Sequence, residues 1–158
     1  MLDSTQPLLR NFWYLALPGK DLARGKTAGL TLLGEPVLLC RGDDGQVFAL
    51  RDICPHRGIP LSHGRFDGKE VECCYHGWRF AADGRCTAIP WLTPGQDGTV
   101  ERIRCGAYPC REVQGNIWVY LPQKSARLPQ AAPDGLAPPP ALPGFGDATP
   151  QVSISQLF

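Results

Sequence analysis

The sequence predicts a small all-β domain of stacked antiparallel sheets. Up to about residue 121, short runs rich in β-branched and aromatic residues alternate with turn-forming Gly and Asp pairs. Between residues 30 and 121 no segment shows a 3.6-residue apolar period, and residues 21–26 form a helical turn at most. A chain of 158 residues, 43% of them hydrophobic, is long enough for one such domain with a core.

The predicted elements follow the chain in order. The first is a short, aromatic-rich strand (NFWYL), and the second and third flank the turn sequence GDDG as a hairpin. Two further Asp-Gly turns precede a final strand with the sequence NIWVYL. The predicted strands are residues 11–15, 36–41, 47–50 and 116–121, and the predicted turns are residues 42–45, 66–69 and 82–85.

The composition changes after residue 121. Eight prolines punctuate residues 122–150, and because proline cannot donate to a strand ladder, this segment is predicted to be an extended linker. Residues 151–158 alternate in polarity like a strand. The predicted organisation is therefore a domain at 8–121, a linker at 122–150 and the start of something further at 151–158.

Charge and targeting features narrow the class of protein. With 16 basic and 15 acidic residues the net charge is +1, so neither nucleic acid nor a membrane surface is an expected partner. The chain has no apolar run of the roughly 18 residues that a membrane span needs, and its N-terminus has no secretory h-region. We therefore expect a cytoplasmic location, where seven cysteines do not indicate a disulfide framework and where cysteines paired with histidines at short spacings are better interpreted as metal ligands.

Cysteine and histidine pair in two short segments, CPHRG at 54–58 and CCYHGW at 73–78. The spacing C-x-H followed by C-x-x-H gives each of two loops one thiolate and one imidazole. Such a set can hold zinc in an interaction module, although zinc sites usually group the cysteines together and the histidines together. The alternating order favours a binuclear cluster, with Cys54 and Cys73 on one iron and His56 and His76 on the other.

These segments resemble the Rieske domain, and in detail the one found in Rieske non-haem iron oxygenases. The resemblance also rests on residues 13–14 (WY), 60–62 (PLS), Gly64, 79–80 (RF) and 115–120 (GNIWVY). It implies Rieske-type stacked sheets with two cluster-binding loops, and a [2Fe–2S] cluster whose ligands, as cofactor and metal residues alike, are Cys54, His56, Cys73 and His76. Two neutral imidazoles on one iron imply a potential between about −150 and +300 mV.

Residues around the ligands refine this interpretation. High-potential Rieske proteins resemble a variant with an extra cysteine in each loop, and here those positions are Ile59 and Tyr75, which indicates the low-potential branch. Gly58 and Gly77 let the backbone turn sharply and bring N–H groups near the cluster sulfurs. Trp78 is expected to shield one side of the site from water.

The remaining candidates receive plainer interpretations. Strand alternation predicts that Cys74 is a buried structural thiol, and His63 fits neither ligand position. Arg57 and Arg79 either screen the cluster charge, dock an acidic partner or are solvated surface charges. Small core or near-core residues are expected at Cys40, Cys86, Cys105 and Cys110.

The resemblance also defines the expected function. In the oxygenase family a larger domain follows, with a mononuclear Fe(II) on two histidines and one carboxylate. This chain has three histidines and none beyond His76, so that Fe(II) is expected only in a missing domain, and no catalytic residue is predicted. We expect the N-terminal one-electron module of a ring-hydroxylating or demethylating oxygenase, truncated before its catalytic domain.

The expected electron donor is a reductase or a ferredoxin, and the expected acceptor is the mononuclear-iron domain, with a homo-oligomer compatible with the family. The alternative is a stand-alone Rieske ferredoxin-like carrier, which is not an enzyme. As a full-length protein the oxygenase would be an oxidoreductase, whereas this chain alone would only transfer electrons.

Overall fold

Strands and short 3-10 helices account for all the regular structure in residues 8–143, the part of the chain that the computed structural model describes. The 3-10 helices span Gly19–Asp21, Leu61–His63 and Asp97–Arg102. No helix within residues 8–143 is long and apolar enough to cross a membrane. The strands are β1 (Phe12–Pro18), β2 (Lys26–Leu32), β3 (Glu35–Arg41), β4 (Val47–Arg51), β5 (Arg65–Phe66), β6 (Val71–Glu72), β7 (Arg79–Phe80), β8 (Cys86–Ala88), β9 (Ala107–Tyr108), β10 (Cys110–Val113) and β11 (Asn116–Leu121).

The strands form three antiparallel sheets, which confirms the predicted fold class. Their orders are β1-β11-β10, β2-β3-β4-β9 and β5-β6-β7-β8. The predicted hairpin is confirmed as β3 and β4, paired from Val37 with Arg51 to Arg41 with Val47. The helical turn expected at residues 21–26 lies earlier, at Gly19–Asp21, because the N–H of Gly19 donates to the carbonyl of Gly115 and holds the chain against the β10–β11 turn.

The core has two parts, which lie on opposite faces of the β2-β3-β4-β9 sheet. Side chains alternate between the faces of a strand, and in β3 the alternation divides four fully buried residues. Val37 and Leu39 pack into one cluster with β11, while Leu38 and Cys40 pack into the other. The second cluster contains the β5–β8 sheet and both loops that carry the Cys–His pairs, so the central sheet is buried on both sides.

The described part of the proline-rich segment, residues 122–143, contains no strand but lies against the domain. Hydrogen bonds connect this segment to three parts of the domain. These are Ala107 N–H to Pro129 O (3.0 Å), Trp13 Nε1–H to Ala137 O (2.8 Å), and the reciprocal pair of Gln114 with the backbone of Leu142 (3.0 and 2.8 Å). The strand predicted at 151–158 lies outside the described residues, and the predicted domain limits stay a prediction.

Candidate metal centre

The first loop leaves the end of β4 and closes on itself within six residues. Cys54 donates its N–H to the carbonyl of Ile59 (2.8 Å), and Gly58 donates its N–H to the carbonyl of Cys54 (2.8 Å). Gly58 has φ of +75° and nothing within 4 Å of the position a Cβ would take. Glycine is therefore required here by backbone conformation and not by lack of space.

The second loop, between β6 and β7, repeats this hydrogen-bond plan. Cys73 donates to the carbonyl of Trp78 (2.8 Å), and Gly77 donates to the carbonyl of Cys73 (3.0 Å). Gly77 has φ of +70°, and a Cβ there would lie 3.0 Å from Cγ of Pro90. The two loops are thus equivalent hairpin-like turns, each with a cysteine at its start and a glycine four residues later.

The two cysteines lie on the inner side of the site, in the core. Cys54 and Cys73 are almost fully buried and belong to the same core cluster. The pKa of the Cys54 thiol is raised to about 11, mainly because the thiol is buried. Backbone N–H groups of His56 and Arg57 that donate to its sulfur lower this pKa, whereas the neighbouring Cys73 raises it. As expected from the sequence, the turn brings N–H groups to a cysteine sulfur, although they belong to His56 and Arg57 and not to Gly58.

The two imidazoles lie on the outer side of the site. The rings of His56 and His76 are half-buried, and their centroids are 4.5 Å apart. Trp78 stacks on His56 at 4.5 Å with an interplanar angle of 5°, which confirms that it covers one side of the site. Tyr75 lies 3.8 Å from the His76 ring. The pKa of His56 is lowered by desolvation, and further by the neighbouring charges of His76 and Arg57.

The residues present fit a binuclear iron–sulfur group. The site offers two buried thiols side by side and two imidazoles side by side, and Nδ1 of His76 is buried without a hydrogen-bond partner in the described chain. A buried ring nitrogen without a partner is costly unless a metal or a proton donor occupies it. All seven cysteines are free, so both candidate sulfur ligands are available.

Asp52 is a site residue that the sequence reasoning missed. Its carboxylate accepts the N–H of Ser62 (2.7 Å) and the hydroxyl of Ser62 (2.7 Å), and so joins the two ends of the segment that contains Cys54 and His56. The sequence signal was the acid two residues before the first cysteine. Asp and Ser ten residues apart have no fixed geometry in a loop, however, so the contact could not be inferred.

Cys74 is exposed, and the prediction of a buried thiol is wrong. Strand alternation does not continue past Cys73, because β6 ends at Glu72 and residues 73–77 form the turn. The structure confirms the other cysteines as core or near-core residues, with Cys110 half-buried. Burial raises the pKa of the Cys105 and Cys110 thiols to about 12 and that of Cys40 higher still, and it also raises the pKa of Cys86.

The two arginines differ in their surroundings. Arg57 is exposed beside His56, and its charge lowers the pKa of that imidazole. Arg79 instead pairs with Asp67 and lies 3.5 Å from a carboxylate oxygen of Glu70 and 3.8 Å from one of Glu72. Arg79 is therefore engaged within the β5–β7 surface, while Arg57 remains available beside the site. His63 is exposed in the 3-10 helix that follows the first loop.

Three sheets with paired cysteines and paired histidines on two equivalent loops define an iron–sulfur electron-transfer domain. The sequence model of the family described as "Rieske [2Fe-2S] domain" matches residues 12–109. This chain belongs to that family, whose cofactor is a [2Fe–2S] cluster.

Oxygenase components are among the similar proteins. The chain is 38% identical over 115 residues to the 3-chlorobenzoate-3,4-dioxygenase oxygenase subunit of Comamonas testosteroni, covering 72% of this chain and 26% of that protein. It is 36% identical over 126 residues to the oxygenase component of dicamba O-demethylase from Stenotrophomonas maltophilia, covering 80% and 36%. The chain thus spans between about a quarter and just over a third of the length of these two relatives.

Solved structures give the same class. The apo structure of dicamba monooxygenase superposes with a TM-score of 0.66 at 34% identity, over 87% of this chain and 38% of that one. The oxygenase in a reduced complex with ferredoxin, from carbazole 1,9a-dioxygenase, superposes with a TM-score of 0.65 at 30% identity, over 81% and 33%. The fold is therefore that of the Rieske domain in oxygenases.

Proposed function

We propose that Cys54 and Cys73 bind one iron of the [2Fe–2S] cluster and that His56 and His76 bind the other. The observation that carries this assignment is the pairing of donors, with two cysteines buried in the same core cluster and two imidazole rings whose centroids are 4.5 Å apart outside it. The unpartnered, buried Nδ1 of His76 supports it. When bound, the cluster takes up and releases one electron at a time.

The protein's part in this reaction is to hold and tune the site. The N–H groups of His56 and Arg57 donate to the Cys54 sulfur, and such donors stabilise the more negative, reduced state and raise its potential. The apolar core keeps water from the sulfur side, and Trp78 keeps it from one face of His56. The half-exposed imidazole side is therefore the shortest route for an electron to or from a partner.

We propose further that the chain serves as the N-terminal electron-transfer module of a ring-hydroxylating or demethylating oxygenase. Support comes from the oxygenase components among its relatives and from the share of their length that it spans. The donor would be a reductase or a ferredoxin, as the ferredoxin complex of a structural neighbour suggests, and the acceptor would be a mononuclear-iron domain.

The ligand assignment is tested by loading the chain with cluster and measuring iron, acid-labile sulfide and the EPR spectrum. We expect two irons and two sulfides per chain and, after reduction, an average g below 2, because mixed N and S ligation makes the iron pair asymmetric. Cys73→Ser should lose the cluster, whereas Cys74→Ser, one residue away and exposed, should keep it. Zinc without inorganic sulfide would refute the assignment.

The oxygenase context is tested separately by the coding sequence that follows codon 158. An in-frame Asp/Glu-x-x-His-x-x-x-x-His pattern downstream would provide the ligands of a mononuclear iron. An immediate stop codon would instead support the free-standing carrier. Neither result affects the test of the four cluster ligands.

A further inference from the structure

A half-open cavity of 610 Å³ lies between the proline-rich segment and the edge of the sheets. One wall consists of Arg10, Glu35 and Arg51 with Tyr108 and Tyr120, and the other consists mainly of residues 122–130. None of the four proposed cluster ligands lines it. Its volume falls within the roughly 300–1,000 Å³ that is usual for small-molecule sites.

The lining of the cavity is strongly basic. The lining residues include four cations, Arg10, Arg51, Lys124 and Arg127, and one carboxylate, that of Glu35, so their net charge is +3. The whole chain has a net charge of only +1. The positive charge is therefore concentrated here and not spread evenly over the molecule.

The single carboxylate in the cavity already has its partners. Glu35 accepts from Arg10 Nη1 (2.9 Å) and from the hydroxyl of Tyr108 (2.8 Å), and the side chains of Arg10 and Glu35 are 8% and 18% exposed. Arg10 Nη1 also reaches the carbonyl of Pro122 at 3.4 Å. The carboxylate of Glu35 is therefore held in a hydrogen-bonded network at the base of the cavity and is not paired with Arg51, Lys124 or Arg127.

Three cations of the lining have no counter-ion among the residues that the structure describes. Within residues 8–143, the side chains of Arg51, Lys124 and Arg127 make no ion pair and no hydrogen bond to a carboxylate. Like charges gathered in a half-open cavity repel one another, and an anion placed among them relieves that repulsion. Arginine is suited to this role because its planar guanidinium donates two parallel hydrogen bonds to a carboxylate or a phosphate.

Besides the polar side chains of Gln123, Ser125 and Gln130, the lining has a stiff, apolar part. Proline has a fixed φ, and the lining includes Pro36, Pro109, Pro129 and Pro133 beside the ring of Tyr120. Such walls suit a flat, apolar body better than a bare, fully hydrated ion. The cavity thus combines charges for an anionic head with surfaces for a ring.

We propose that this cavity binds a small organic dianion with a ring attached to its charged group, of which an aryl phosphate is the simplest case. The dianion lies between Arg51, Lys124 and Arg127, and the ring packs against Tyr120 and the prolines. This site is independent of the cluster and of the electron transfer proposed above.

The test is calorimetric titration of the cluster-loaded full chain with phenyl phosphate, with inorganic phosphate as the comparison. We expect saturable binding of one phenyl phosphate per chain, at least tenfold tighter than inorganic phosphate and weaker at high salt. Arg51→Gln should weaken binding about tenfold, since it removes a charged hydrogen-bond donor. Lys69→Gln, which removes an exposed cation outside the cavity, should leave the affinity unchanged.

The variant Glu35→Gln is expected to increase the affinity, a result that misfolding could not produce, since a misfolded chain would bind more weakly. It removes the one negative charge of the lining with its shape retained, so phenyl phosphate should bind more tightly. Unchanged cluster absorbance in each variant shows that the domain is intact. The proposal is overturned by absence of saturable binding, by equal affinity for inorganic phosphate, by equal effects of Arg51→Gln and Lys69→Gln, or by weaker binding to Glu35→Gln.

Discussion

Asp52 is the only charged residue that is buried in the described part of the chain. Both carboxylate oxygens are used by Ser62, one through its N–H and one through its hydroxyl. On the other side Gly29 lies so close that a Cβ there would be 3.1 Å from Cβ of Ser62. The carboxylate therefore holds the loop that carries Cys54 and His56 in a closely packed position and adds a negative charge near these proposed ligands.

Asp52→Asn should raise the reduction potential, because it removes a negative charge that opposes the added electron. Ser62→Ala is the matched control, since it removes one of the two hydrogen bonds and retains the charge. Both variants should lose about 1–3 kcal/mol of unfolding free energy. A redox titration, monitored by circular dichroism, measures the reduction potential of the cluster. An unchanged potential in an intact Asp52→Asn cluster would show that Asp52 has a purely structural role.

His76→Cys should lower the potential if the cluster still assembles. The new thiolate would add negative charge to the histidine-bound iron, which we propose accepts the electron. All-cysteine plant-type clusters have reduction potentials of about −400 mV. Voltammetry of the variant beside the unchanged chain measures the difference. A potential that stays equal or rises in an intact cluster would contradict the charge argument.

Among the elements, the two loops that carry the proposed cluster ligands have the same backbone hydrogen bonds but differ in the space around their glycines. Gly58 and Gly77 both have positive φ, and each donates to the carbonyl of the cysteine four residues earlier. Of the two, only Gly77 has an atom near the position of a Cβ, namely Cγ of Pro90 at 3.0 Å. The same substitution in the two loops therefore separates backbone strain from steric overlap.

Gly58→Ala should cost about 1–2 kcal/mol, the price of placing a Cβ in the left-handed region. Gly77→Ala should cost more, because the added methyl group also displaces Pro90 from 3.0 Å. Denaturant unfolding, with cluster absorbance as a second signal, measures both. A larger loss in Gly58→Ala than in Gly77→Ala would show that the close contact with Pro90 relaxes freely.

The turn between β5 and β6 is closed by Asp67. The N–H groups of Glu70 and Lys69 donate to its carboxylate and hold its pKa below the usual range, and Arg79 lowers it further. A carboxyl whose pKa is depressed in the folded state stabilises the fold above its unfolded pKa of about 4, and this contribution is lost as the pH falls through the folded value.

Asp67→Asn should therefore destabilise the domain at pH 7 and have progressively less effect below about pH 4. The amide still accepts the two N–H groups, so the difference between the proteins reports the charge. Unfolding by urea at a series of pH values measures it. If the two stability curves stay parallel down to pH 2, the charge of Asp67 contributes nothing.

For the whole molecule, the arrangement of the core links the cofactor to stability. Cys54 and Cys73 belong to the core cluster of the β5–β8 sheet, on the opposite face of the central sheet from the cluster formed with β11. A ligand set that joins two loops contributes its binding free energy to folding. Loss of the cofactor should then weaken one side of the domain more than the other.

Removal of the cluster by acid and chelator should lower the melting temperature and increase amide hydrogen exchange at Cys73 and Phe80. Exchange at Ile117 and Val119, in the other core cluster, should change little. Mass spectrometry of fragments from the loaded and the stripped chain measures both regions. Equal changes in the two regions would indicate that the domain unfolds as one unit.

Much of this molecule could be predicted because the signals are local. The β3–β4 hairpin follows from a turn sequence between two apolar runs, and the candidate ligands follow from spacings of two and three residues within single turns. The position of Cys74 could not be predicted from strand alternation, because β6 ends one residue before the second loop begins. Local patterns are reliable only within the element that produces them.

The chain's own order of residues is enough to indicate strands, turns, the family and the four candidate ligands, since each depends on neighbours within a few positions. Contacts between distant segments depend on how the sheets stack. Asp52 meets Ser62 across a loop, Tyr108 meets Glu35 from 73 positions away, and residues 122–130 close a basic cavity against the edge of the sheets. No spacing in the sequence specifies those distances, because they arise only when the two core clusters pack on opposite faces of one sheet.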